Sequence, residues 1–332
     1  MNSKLLTKNK KRMKYFSLLK KASLVITFIF IASSIISCNM EEEANAKKSS
    51  ITGVVQSQSN LSILGIALDR TNLLATLDAQ GTYTLFAPTD TAFNTFLATN
   101  GFSDINAVPV ITLKQILLNH VIGQTINSSD LPSSGYLKTL ATGNVSTNTL
   151  SMYVSKSSGV VLNDNAKVIS ANVLANNGII HIVDAVIGLP TVTDHILSNP
   201  NLTSLVGVLT GTGQPDFIAT FSSTGPFTVF APVNSAFTSL NSELTGGVAG
   251  VSAANMTKVL QYHVVSNNIL STDLTEGEVV TTLQAPQSFT VLLATGPKLQ
   301  DVNNRKSSVI VTDIQCSNGV IHLLSKVLLP TL

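Results

Sequence analysis

YTLFAPTDTAF at 83 to 93 and FTVFAPVNSAF at 227 to 237 are the same stretch carried twice. In each, apolar residues run into Ala-Pro, then a side chain able to cap a helix, then a new apolar period. That order reads as a strand, a turn preset by proline and the start of a helix. Pro88 and Pro232 each end the strand. Thr89 or Asp90 in the first copy, and Asn234 in the second, can accept a backbone hydrogen bond from the first turn of the helix that follows. The starts lie 144 positions apart. A period of that size means whole domains, since solenoid repeats run to about 20 to 50 residues.

The rest of the chain falls into register around this stretch. Leu61, Leu64 and Leu68 have helical spacing, and Leu202, Leu205, Val206 and Leu209 take the same places in the second copy. LLATLDAQG at 73 to 81 and FIATFSSTG at 217 to 225 lead into the repeated stretch, with a longer loop around Gly211, Gly213 and Pro215 in the second copy. Beyond it, Leu113, Ile116, Leu117, His120 and Val121 lie on one helical face. Met256, Val259, Leu260, His263 and Val264 repeat them 143 positions on. SSDLPSSGYLKTL at 128 to 140 and STDLTEGEVVTTL at 271 to 283 open a run of strands, which closes in NNGIIHIVDAVIGLP at 176 to 190 and SNGVIHLLSKVLLP at 317 to 330. Asn-Gly signals a turn and the β-branched residues after it a strand. Helices early and strands late predict an α+β domain, twice over.

The first forty residues belong to neither copy. Eight basic residues between Lys4 and Lys21, with no acid among them, precede the apolar run LVITFIFIASSII at 24 to 36. This is the layout of a signal peptide, and the run is short for a membrane span of about 20 residues. Ile35-Ile36-Ser37-Cys38 resembles a bacterial lipobox, which implies cleavage of 1–37 and a lipid on Cys38. An uncleaved signal anchor is the alternative. Glu41, Glu42 and Glu43 follow at once. They resemble the signal that exports Bacteroidetes lipoproteins to the outer face of the outer membrane, and equally suit a solvated linker.

The expected layout is a signal peptide over 1–37, a tether over 38–49, and domains over 50–190 and 191–332. The Ser-, Asn-, Gln-, Lys- and Ala-rich composition from about 44 to 60 is expected to be tether rather than core. Removal of 1–37 takes eight of the twenty basic residues and none of the eighteen acidic ones, leaving a net charge of about −6. A nucleic-acid partner, which needs a basic stripe, is thereby disfavoured. Cys316, where the first copy has Ala175, would be the remaining thiol, so stability has to come from the core rather than from an intrachain disulfide.

Four of the five histidines sit at matched positions, His120 with His263 and His181 with His322. The sequence has no HExxH, CxxC or His-x-His, which argues against a metal site. Nor does it have a GxSxG elbow, a P-loop or a dinucleotide fingerprint, so no cofactor and no enzymatic activity are expected. Asp90, Asp130 and Asp273 suit caps and turns better than an acid/base pair. On an apolar helix face, His120 and His263 read first as hydrogen-bonded core groups and second as ligand contacts.

In their order and spacing, three boxes resemble the fasciclin domain: the FAPT/FAPV strand-to-helix box, the histidine on the middle helix and the closing NG-x-IH strand. The resemblance covers nearly all of 50 to 332 in two tandem copies. It implies a β-wedge of about seven strands with packed helices, and extracellular adhesion or matrix binding. In that family a Tyr-His pair by the middle helix has been tied to receptor binding. The corresponding residues here are Tyr262 and His263, and Asn119 and His120, where the first copy departs from the pattern. The implied partner is a surface protein or polysaccharide, with the membrane engaged through Cys38 at the exterior of the outer membrane. An accessory glycan- or nutrient-binding subunit of an outer-membrane uptake complex is the alternative. The absence of Trp leans away from a sugar-stacking cleft.

Overall fold

The structure is a computed structural model and describes residues 49–332. The expected signal peptide, Cys38 and the expected tether up to residue 48 lie outside the described residues.

The first domain opens with three helices, α1 (Ile51–Ser57), α2 (Ser62–Arg70) and α3 (Leu74–Asp78). The repeated stretch then supplies β1 (Tyr83–Pro88) and α4 (Asp90–Thr99). After α5 (Val110–Asn119) come β2 (Val121–Ile122), β3 (Ser134–Thr142), β4 (Thr149–Ser155), β5 (Val161–Leu162), β6 (Ala166–Ala175) and β7 (Gly178–Val183). The seven strands form one sheet in the order β2-β1-β7-β6-β5-β4-β3. β1 pairs in parallel with β7, from Tyr83 opposite Gly178 to Pro88 opposite Val183. The first strand of the domain is thus threaded between its second and its last.

The second domain repeats the plan. Its helices are α6 (Val192–Ser198), α7 (Thr203–Leu209), α8 (Phe217–Ser222), α9 (Asn234–Glu243) and α10 (Ala253–Tyr262). Its strands are β8 (Phe227–Pro232), β9 (Val264–Val265), β10 (Val279–Thr281), β11 (Ser288–Leu292), β12 (Lys298–Gln300), β13 (Lys306–Cys316) and β14 (Gly319–Leu324). They are ordered β9-β8-β14-β13-β12-β11-β10. The expected α+β fold, two tandem wedges of seven strands with packed helices, is what forms.

The strand of the repeated stretch is covered on both faces. Leu85 and Ala87 point into a core shared with α1 to α5, whereas Phe86 points the other way, into a second core with Met152, Val154 and Leu162. Val229, Ala231 and Phe230 divide between two cores in the same manner. A strand buried on both sides needs apolar residues at nearly every position, which explains why β1 and β8 read as almost continuous apolar runs.

Three local expectations are corrected. The 44 to 60 composition hides a core element: α1 buries Ile51 and Val55 completely, at i and i+4. Asn234 does not cap its own helix; its Oδ1 accepts the Ser204 amide at 2.8 Å, at the start of α7. Asp90 acts in the same way on α2, accepting the Ile63 amide at 2.8 Å, while Thr89 caps α4 through the Ala92 amide. Neither α2 nor α7 has a side-chain cap from its own N-cap residue. Each repeated stretch therefore caps an earlier helix.

The third correction is one of position only: the expected turn and strand form, with the turn one residue ahead of Asn-Gly. The β6–β7 loop is Asn176-Asn177, because Ala175 already pairs with Gly178, and neither loop residue has positive φ. Glycine is required there for close approach: a Cβ on Gly178 would lie 2.1 Å from the Tyr83 carbonyl oxygen, and one on Gly319 would lie 2.2 Å from that of Phe227.

Candidate functional site

The pair positions tied to binding by resemblance are buried. Asn119, His120 and Tyr262 are fully buried, and His263 is 3% exposed. His120 ends α5, where its Nδ1 donates to the Ile116 carbonyl at 2.8 Å and its Nε2 accepts the Ile187 amide at 2.9 Å. His263 ends α10 with the same bonds, to Val259 at 2.7 Å and from Leu328 at 3.0 Å. A carbonyl can only accept and an amide can only donate, so each ring is held as the neutral Nδ1–H tautomer. Burial pushes both down to about 4, against a small upward pull from the carbonyl bond. The backbone carbonyls of the same two residues accept from Phe86 and Phe230 in the repeated strands, each at 2.9 Å. Each histidine thus ties together the middle helix, the repeated strand and the segment after the last strand.

The neighbouring residues are also committed to the interior. Tyr262 donates its hydroxyl to the Ser288 carbonyl at 2.6 Å, and burial pushes its phenol up to about 12. Asn119 donates from Nδ2 to the Gly188 carbonyl at 2.7 Å, while its buried Oδ1 has no partner. His181 and His322 are bonded in the opposite tautomeric sense. Their Nε2 atoms donate to Ile126 and Ile269 at 3.0 and 2.9 Å, and their Nδ1 atoms accept from Asn172 and Asp313 at 3.2 and 3.3 Å. All eight ring nitrogens of the repeat-matched histidines are therefore engaged, leaving none to ligate a metal or a partner without breaking an internal bond. Cys316 is fully buried beside the last turn, and burial pushes its thiol up. Asp130 and Asp273 close turns at 127 to 130 and 270 to 273.

The site that single-residue reading missed is the seam between the domains. Here β4 lies against β13, and Tyr136 of β3 packs against the core of the second domain. The Tyr136 hydroxyl accepts from Asn199 Nδ2 at 3.0 Å, and its ring meets that of His195 edge-on at 5.4 Å. Lys138 Nζ donates to the Asp313 carbonyl at 2.6 Å and the Gln315 amide donates to Ser151 Oγ at 3.0 Å. Asn144 N–H reaches the Ser317 carbonyl at 3.1 Å, where Gly143 passes so close that a Cβ would sit 2.7 Å from that oxygen.

His195 is the fifth histidine. It is fully buried in this seam and neither ring nitrogen has a hydrogen-bond partner. Burial pushes it down to about 4, with the Asp194 carboxylate and the Ser151 backbone, near the ring but outside hydrogen-bond geometry, pulling upward and Lys138 downward. A cavity of about 260 Å³ opens beside the seam, lined by Asn163, Asn165, the linker 187–190 and Asp194. The Asp194 carboxylate already accepts two bonds from Thr191, one from its amide and one from its hydroxyl. The sequence signal for the seam was the set of positions where the copies differ, such as Tyr136 against Val279 and Gln315 against Leu174.

A family model for the fasciclin domain matches residues 59–190 and 200–330. Human periostin is 27% identical over 270 residues, which cover 79% of this chain and 30% of periostin. A fasciclin-like arabinogalactan protein of Arthroderma benhamiae is 28% identical over 267 residues, covering 76% of this chain and 60% of the fungal protein. The chain thus spans less than two thirds of either relative. Among solved structures, the domain pair from the insect cell adhesion molecule fasciclin I aligns over 80% of this chain and 92% of its own, with 22% identity and a TM-score of 0.46. With its two matched segments covering most of its length, each on its own seven-stranded wedge, the chain belongs to the fasciclin domain family as a tandem pair.

Proposed function

We propose that this protein is a non-catalytic adhesion or matrix-binding lipoprotein, anchored through Cys38 and displayed at the exterior of the outer membrane. The observation that carries the reading is membership of the fasciclin family in both halves of the chain. The geometry is compatible with it: the repeat-matched histidines are spent on internal bonds, and the seam holds the two domains as one unit with fixed outer faces. Two weak contacts presented in fixed register act together, so avidity can exceed the affinity of either domain. Partner contact then falls to outer loops and strand faces, with the Tyr262–His263 and Asn119–His120 positions shaping the fold beneath them.

Deletion of the gene tests the adhesion reading directly. Mutant cells should attach less well to surfaces, matrix and one another, and attachment indistinguishable from the parent would remove the proposal. Labelling with radioactive palmitate tests the anchor separately, since incorporation should vanish in Cys38→Ala.

A further inference from the structure

The seam joins unlike faces. The first domain contributes β3 and β4, and the second contributes α6 and the end of β13. Because the domains are copies, each face has a counterpart that the seam does not use: β10 and β11 on the second domain, and α1 with the end of β6 on the first. Contacts between unlike faces do not close on themselves, so one of each is left over at the ends of the pair.

The leftover faces are the more apolar ones. Tyr136 corresponds to Val279, which is 64% exposed. Gln315 is fully buried, its backbone amide bonding Ser151 across the seam and its side chain bonding Asn268 and Gly319 in its own domain, whereas its counterpart Leu174 is 57% exposed. Val54, partly exposed, takes the place of His195, and Thr281 that of Lys138, whose ammonium bonds the Asp313 carbonyl across the seam. Ser288 keeps the hydroxyl of Ser151. At the places of Tyr136, Gln315 and His195 the free ends thus carry aliphatic side chains, while Thr281 and Ser288 stay polar. The bulge that shapes the docking strand is kept too: Asn172 and Asp313 both have positive φ and both bond a histidine Nδ1.

We infer that the β10–β11 face around Val279 is a docking surface for a second copy of this chain, which presents its α1–β6 face around Leu174, repeating the internal seam head to tail between molecules. Continuity with the seam already built selects this occupant, since a second copy carries the surface that fits this fold in this place within the chain. The inference goes beyond the adhesion reading and does not depend on it, because self-association can fail while adhesion to other partners stands.

Sedimentation of the detergent-solubilised full chain tests it. Average protein mass should rise from one chain towards two or more between about 1 µM and about 1 mM, the range expected of a small interface. Val279→Glu and Leu174→Glu, both at exposed positions, should each sediment as one chain when alone. Mixed in equal amounts they should form a species of two chains and no larger, since each retains one intact end. A parent that stays single throughout would overturn the inference. So would either variant associating alone, which would indicate a like-with-like contact, or a mixture that stays single.

Discussion

Asn318 reaches from the final turn of the second domain to its first helix, where Oδ1 accepts the Val192 amide at 2.9 Å. Its Nδ2 donates to the Phe221 and Ser223 carbonyls at 2.7 and 2.6 Å, and Asn177 makes the same three bonds to Ile51, Leu77 and Ala79. Asn318→Ala strands a buried amide and two carbonyls, so the second domain should lose about 3 kcal/mol, given the cost of unsatisfied buried groups. Asn318→Asp keeps the acceptor but loses both donations, and should also destabilise. Urea midpoints for the two variants unchanged from the parent would show that the clasp contributes little.

This clasp also marks the limit of what the sequence discloses. The repeated strand, the middle helix and the closing strand were legible because each buries a periodic apolar pattern, and two copies confirm the period. Helix α1 was not legible, because Ile51 and Val55 are diluted by Ser and Gln and the helix start is fixed at Ile51 by Asn177, 126 positions away. The fate of His120 and His263 was half visible. Their helical face pointed to the core, but the backbone amides that fill their second nitrogens come from 67 and 65 positions further along. The seam was invisible at single positions, since Tyr136 and Gln315 are ordinary strand residues until a second domain covers them.

Phe230 is fully buried, stacked on His322 at a ring distance of 5.2 Å and edge-on to Phe289 at 5.0 Å. Phe230→Ala removes a ring from the core on which β11 and β14 meet. The expected loss is about 3 to 5 kcal/mol, typical of buried aromatic deletions. A thermal melt that overlays the parent would show that the cavity collapses without penalty.

Three buried histidines should make stability fall with acid. His120, His195 and His263 are each pushed from an ordinary value near 6.5 down to about 4 in the folded chain. The unfolded chain takes up these protons first, so the contribution is complete above about pH 6.5, is lost as pH falls towards 4, and changes no further below that. Each group can contribute on the order of 3 kcal/mol across that window. Urea midpoints from pH 7.5 to 4.5 should therefore decline. His195→Phe should make the decline shallower without loss at pH 7, because neither ring nitrogen has a partner to forfeit. Midpoints flat with pH in the parent would refute the linkage.

Gly143 lets the first domain lie against the backbone of Ser317 in the second. A Cβ there would come 2.7 Å from the Ser317 carbonyl oxygen and 2.8 Å from its Cα, both backbone atoms that cannot swing aside. Gly143→Val should therefore open the seam at a cost of about 1 to 3 kcal/mol, the usual range for overpacking. The wedges themselves should survive, because Gly143 lies just beyond β3 and outside all four buried apolar clusters. Opening would expose the linker at 187–191 and the His195 ring to solvent. Limited proteolysis should then cut the variant between the domains faster than the parent, with the midpoint of each domain's own unfolding little changed. Equal cleavage rates would mean that the seam tolerates the added side chain and that the bonds of Gln315, Lys138 and Asn199 suffice to hold it closed.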